Sequence, residues 1–160
     1  MKTTFTKLLV WCGFILILST LQAQDGTYNH DEVDRVPVFK GCEDKINSSN
    51  KILARCFESK IMAYLFENFQ YPKVALEEEI SGRIYVKFLI MEDSSINGVE
   101  VVRGAAHNRF FLNNKKRELA LLIDKEAVRV VKNFPIVQPA KIDGKSVPMS
   151  FMLPINIKLN

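Results

Sequence analysis

The chain has 160 residues, 48% of them apolar and 25% charged, with a formal net charge of +4. That is the size of one domain plus processing segments, with the composition of an ordinary globular protein. Without Lys2 and Lys7 of the first segment, 22 basic residues fall to 20 against 18 acidic, a near balance that excludes the concentrated basic footprint of a nucleic-acid-binding protein.

Residues 1–23 have the pattern of a signal peptide. Lys2 and Lys7 precede an apolar run over residues 8–18, and Ala23 closes a plausible cleavage region. The apolar run to Leu21 is shorter than the ~20 residues that span a bilayer, which favours cleavage over an uncleaved inner-membrane anchor. Both predict an exported domain. Cys12 leaves with a cleaved leader, so Cys42 and Cys56 remain as an even pair in an exported chain and are expected to form a disulfide.

Residues 24–35 are polar and predict a flexible lead-in. Together with the stapled stretch they make up residues 24–57, ahead of a domain over residues 58–160. A short extended pattern follows around Pro37, then a polar loop over residues 42–50. Ser59 is placed to cap a helix reaching Phe69, with Ile61, Leu65 and Phe69 at i, i+4, i+8 and Met62 and Phe66 beside them. Tyr71-Pro72 ends that helix, and Pro72 suits the first turn of a short second one, which Gly82 terminates.

Residues 83–91 predict a strand with Ile84, Val86, Phe88 and Ile90 on one face. Residues 92–95 are a turn by composition, and residues 96–102 return as the other arm of a hairpin, with Gly98 as a bulge. Residues 105–117 read either as a binding loop or as an insertion whose phenylalanines tuck onto the body. Ala127, Val130, Val131 and Phe134 mark a helix ended by Pro135. Asp124 suits its N-cap, although a longer helix from near Asn114 fits the same face.

Asp143-Gly144 turns the chain into the clearest strand, residues 147–159. Its odd positions are apolar throughout: Val147, Met149, Phe151, Leu153, Ile155, Ile157 and Leu159. Pro148 and Pro154 lie six apart, so both missing donors fall on one edge. This predicts an edge strand whose odd residues pair inward. Ser150, Met152 and Asn156 then offer their backbone groups outward. The order helix, strand, strand, helix, strand predicts a two-layer α+β domain, with helices packed on a three-stranded antiparallel sheet.

Chemistry-bearing patterns are sparse. There is no nucleophile elbow and no Gly-rich phosphate loop, and His30 and His107 match no metal-ligand spacing. A binding protein without catalytic residues, metal or cofactor is therefore expected.

A series of short motifs bears on the family. It comprises Tyr71-Pro72, Gly82-Arg83, Val86-Lys87-Phe88 and Arg103-Gly104, then Ala127 to Val131, Phe134-Pro135, Asp143-Gly144-Lys145 and Leu153-Pro154-Ile155-Asn156. In this order and with these gaps it resembles the C-terminal domain of TonB, the periplasmic energy transducer, over residues 58–160. The resemblance implies helices on a three-stranded sheet. It also implies, as partner, a TonB-dependent outer-membrane transporter or similar envelope protein, whose short box segment adds as a strand beside the last strand. It places Gln70 and Tyr71 near that box, with packing at the helix end as the other reading of Tyr71. The implied peptide-binding set is Gln70, Tyr71, Ser150, Met152 and Asn156. Only about a dozen residues separate leader from domain, a reach of about 40 Å fully extended. That favours an accessory binding module in transmembrane transport over a full energy transducer. A homodimer through the same edge is a third reading.

Overall fold

The computed structural model describes residues 27–105 and 114–157; the leader, Phe110, Phe111 and His107 of the central stretch, and Leu159 lie outside the described residues. Among the described residues three α-helices, α1 (Asn50–Asn68), α2 (Lys73–Glu77) and α3 (Asn114–Lys132), accompany seven strands. The main sheet is antiparallel, in the order β3 (Ile96–Arg103), β2 (Gly82–Ile90), β7 (Met149–Ile157). Two small pairs complete the set, β1 (Val38–Phe39) with β4 (Ile136–Gln138) and β5 (Ala140–Ile142) with β6 (Lys145–Val147). This is the expected α+β fold.

Strand β2 is central because one of its faces can be wholly buried. Ile84, Val86, Phe88 and Ile90 are inaccessible, while Arg83 and Lys87 face water. Across it the α3 residues Ile123, Ala127, Val130 and Val131 complete the core, and Ile61 and Leu65 of α1 join them. Phe88 stacks on Phe151 at 5.5 Å and meets Phe134 edge-on at 5.7 Å. The β2–β3 register slips where Lys87 faces Glu100 but Leu89 faces Asn97. The extra residue sits at Gly98, whose φ of 56° favours glycine, so the bulge falls where expected.

Several boundaries differ from expectation. Helix α1 starts at Asn50 rather than after Ser59, because Leu53 and Phe57 extend the buried stripe of Ile61 and Leu65 at the same four-residue spacing. The division at residue 58 therefore falls inside a helix. Met62 and Phe66 stand on the solvent side of α1, Phe66 at 90% exposure. The short helix α2 is closed by Glu79, not Gly82. Glu79 takes a φ of 51°, and Ile80 N–H donates to the Ala75 carbonyl at 3.0 Å, a Schellman-type ending that leaves Gly82 free to begin β2. Helix α3 begins at Asn114, so residues 114–117 are helical and Asp124 lies within it, buried at 7% exposure. Asp124 caps no helix. Its Oδ1 accepts the Ala105 N–H at 2.8 Å.

From residue 27 onward the lead-in is docked rather than flexible. Val33, Val36 and Val38 form a second apolar cluster with Leu53, Ala54, Ala140 and Met149. Arg35 and Lys141 exchange backbone hydrogen bonds at 3.0 and 2.9 Å, and the Arg35 guanidinium donates to the carbonyls of Ser48 and Ile46. Asn50 accepts the Val36 N–H at 2.9 Å. Polar composition hid this because the segment's few valines sit apart, each taking a place in a cluster assembled from distant chain.

Cys42 and Cys56 form the expected disulfide, with Cα atoms 6.0 Å apart, and fasten this segment to α1. Replacing both by serine is expected to lower stability by about 3 kcal/mol on a chain-entropy basis. The urea midpoint reads this directly. An unchanged midpoint would mean that Arg35, Asn50 and the valine cluster hold the loop unaided.

Candidate functional site

The edge of β7 can be built from its backbone. The β2–β7 register runs without a shift from Gly82 opposite Ile157 to Ile90 opposite Met149. On β7 the odd positions Met149, Ile155 and Ile157 are buried, and Met152, Pro154 and Asn156 are exposed. The sense of the edge is fixed by one contact. Ser150 N–H donates to the Tyr28 carbonyl at 2.8 Å, away from β2. Because outward and inward groups alternate along a strand, Met152 and Asn156 also direct N–H and C=O outward, and Pro154 directs its carbonyl the same way. Pro154 thus sits where its missing N–H costs the sheet nothing.

The same contact corrects one expectation. Ser150 does not offer a free N–H, because the lead-in returns across the start of β7. Tyr28 N–H donates to the Pro148 carbonyl at 3.0 Å, and the two strands run parallel at Tyr28 and Met149. The next residues turn away as a 3-10 turn over His30–Glu32. Among the described residues the open edge begins at Met152, which is 51% exposed. Sequence reasoning missed Tyr28 because a single bridge leaves no alternation to read.

Gln70 and Tyr71 lie between α1 and α2. Gln70 is exposed, and its N–H donates to Glu126 Oε1 at 2.8 Å. The Arg129 hydrogen bond holds the Glu126 carboxyl below the usual carboxylate range against the opposing effect of partial burial. Tyr71 packs against the main core and its hydroxyl donates to the Ile80 carbonyl; burial pushes the phenol up. This gives Tyr71 the packing role at the helix end. Ile80 leads into Gly82, which pairs with Ile157, so Tyr71 is tied to the far end of the β7 edge. Asn156 is also engaged through its side chain, whose Oδ1 accepts Arg83 Nε–H at 2.7 Å. The structure thus brings Met152 and Asn156 together on one edge that is open among the described residues, keeps Ser150 under Tyr28, and uses Tyr71 in packing.

Among the described residues no cluster of three or more metal-ligand side chains occurs, and no helix is long and apolar enough to cross a membrane. No family model and no curated protein matches the chain. Among solved structures it is similar to the NMR solution structure of the Helicobacter pylori TonB C-terminal domain (residues 179–285). The likeness has 24% identity and a TM-score of 0.43, and covers 72% of this chain and 88% of that one.

Proposed function

We propose that the protein is an exported, TonB C-terminal-like binding module that captures an extended peptide by strand addition along β7, as an accessory to transport across the outer membrane. The observation that carries this reading is the edge itself. Met152 and Asn156 turn complete backbone donor–acceptor sets outward on a regular strand, beside a proline that blocks no inward bond. Long open edges invite indiscriminate pairing, and here Pro154 and the Tyr28 crossing shorten the edge to a guest of a few residues. The motif series noted in the sequence supports a guest of the TonB-box type, carried by an outer-membrane transporter or similar envelope protein. Gln70 is a candidate flanking contact.

The test is Met152→Pro. Proline at an outward-facing N–H removes one guest hydrogen bond and leaves the inward ladder intact. Box-type peptides titrated into the wild-type protein are expected to shift the amides of Met152 and Asn156. With Met152→Pro, binding is expected to fall below detection while the remaining amide spectrum stays native-like. Equal affinity for both proteins would remove this edge from the reading. A concentration-dependent dimer with the same amides shifted in the absence of peptide would identify a second copy as the guest.

A further inference from the structure

The solvent face of the sheet carries a charge pattern that strand pairing does not require. At its strand positions lie Arg83 and Lys87 of β2, with Arg103 of β3 opposite Tyr85; Glu100, opposite Lys87, is the carboxylate among them. Among the described residues neither Arg83, Lys87 nor Arg103 takes part in an ion pair. Arg83 is the one aimed at the edge. It stands on the central strand opposite Asn156, its Nε–H donates across to Asn156 Oδ1 at 2.7 Å, and one terminal N–H group leans on the Tyr85 hydroxyl at 3.4 Å. That brace directs the guanidinium toward β7 and leaves its other N–H groups for an acceptor.

We infer that the guest strand is acidic, with an Asp or Glu on its solvent-facing side beside Asn156, and that Arg83 is the specificity-determining residue that receives this carboxylate. The inference rests on the strand-addition reading of the β7 edge. Strands lie about 4.8 Å apart, so a guest would run about 10 Å from the β2 backbone. An arginine already leaning over β7 and a carboxylate reaching inward from the guest close that distance together. Planar guanidinium and carboxylate then meet through paired hydrogen bonds, which distinguishes an acid from its amide. Lys87 stands opposite Met152 and Glu100, farther along the strand, and adds positive potential without a brace of its own.

Three synthetic strand peptides, identical except for Glu, Gln or Lys at the solvent-facing position beside Asn156, test this by NMR titration of the intact protein. The Glu peptide is expected to bind about fivefold more tightly than the Gln peptide at low salt, in the range of a partly exposed charged pair, and the preference should shrink as salt rises. Arg83→Gln is expected to erase the difference between Glu and Gln, and Arg83→Glu to turn the preference toward Lys. Equal affinities of the wild type for the Glu and Gln peptides would overturn the role of Arg83 while leaving strand addition standing, provided Met152 and Asn156 still shift. If none of the three peptides moves those amides, the strand-addition reading falls, and this inference with it.

Discussion

Gly104→Ala is expected to destabilise the protein by about 2–4 kcal/mol, out of proportion to one added methyl group. A Cβ on Gly104 would stand 2.0 Å from Asp124 Oδ2 and 2.6 Å from its Cγ. Neither neighbour can move cheaply. Asp124 is buried on α3, and its other oxygen satisfies the N–H of Ala105, which is itself only 1% exposed. Driving the carboxylate aside leaves a buried donor without its partner and reorients a buried charge. The strand β3 meets the core helix at this point, so the lost contact is not confined to a loop. Urea unfolding of Gly104→Ala, Asp124→Ala and the double variant separates the causes. If the collision dominates, the double variant will be more stable than the sum of the two single losses predicts, because Asp124→Ala makes room for the methyl. Strict additivity would show that Gly104 is needed for some reason other than its approach to Asp124.

Phe88→Ala is expected to cost about 3–5 kcal/mol, as large aromatic-to-alanine changes do in a core that cannot collapse around the gap. Phe88 is fully buried at the centre of β2 and touches the rings of both Phe134 and Phe151. It thereby joins the end of α3 to the strand that carries the candidate edge. The effect should appear both as a lower unfolding midpoint and as broadened amide signals along β7. Phe66→Ala serves as the control. That ring is 90% exposed on α1, and its removal should change stability by less than about 0.5 kcal/mol. A Phe88→Ala loss no larger than that of Phe66→Ala would contradict the packing of the sheet described above.

The contrast between these two phenylalanines marks how far periodicity alone reaches. Both sit in apolar-rich segments, and the helical spacing put Phe66 beside the buried stripe of α1. The stripe is narrow, however, and a residue one step round the helix meets the core only if another element stands there. At Phe66 none does among the described residues. Strand alternation has no such latitude, since successive side chains point to opposite faces. That is why Ile84, Val86, Phe88 and Ile90 were legible in advance, and why the last strand could be recognised as an edge from two prolines.

What the sequence determined by itself was therefore local and periodic. It specified the α+β order, the shared face of Ile84, Val86, Phe88 and Ile90 on β2, the bulge at Gly98, the Asp143-Gly144 turn, and the pairing of Cys42 with Cys56. It also indicated the outward sense of Met152 and Asn156. Each follows from constraints acting within a few residues or from the parity of cysteines. Tertiary structure decided the rest, because the deciding contacts join chain segments far apart. Asp124 became a buried acceptor for Ala105 instead of a helix cap, and Tyr71 was drawn into packing by the Ile80 carbonyl. The valines of the lead-in found Leu53, Ala140 and Met149. Tyr28 closed the first part of an edge that its own neighbourhood gave no sign of meeting, and Arg83 acquired its direction only from an asparagine 73 residues away. Hydrogen-bonding groups and isolated apolar residues take whichever partner the assembled fold sets beside them, and no local pattern records that choice.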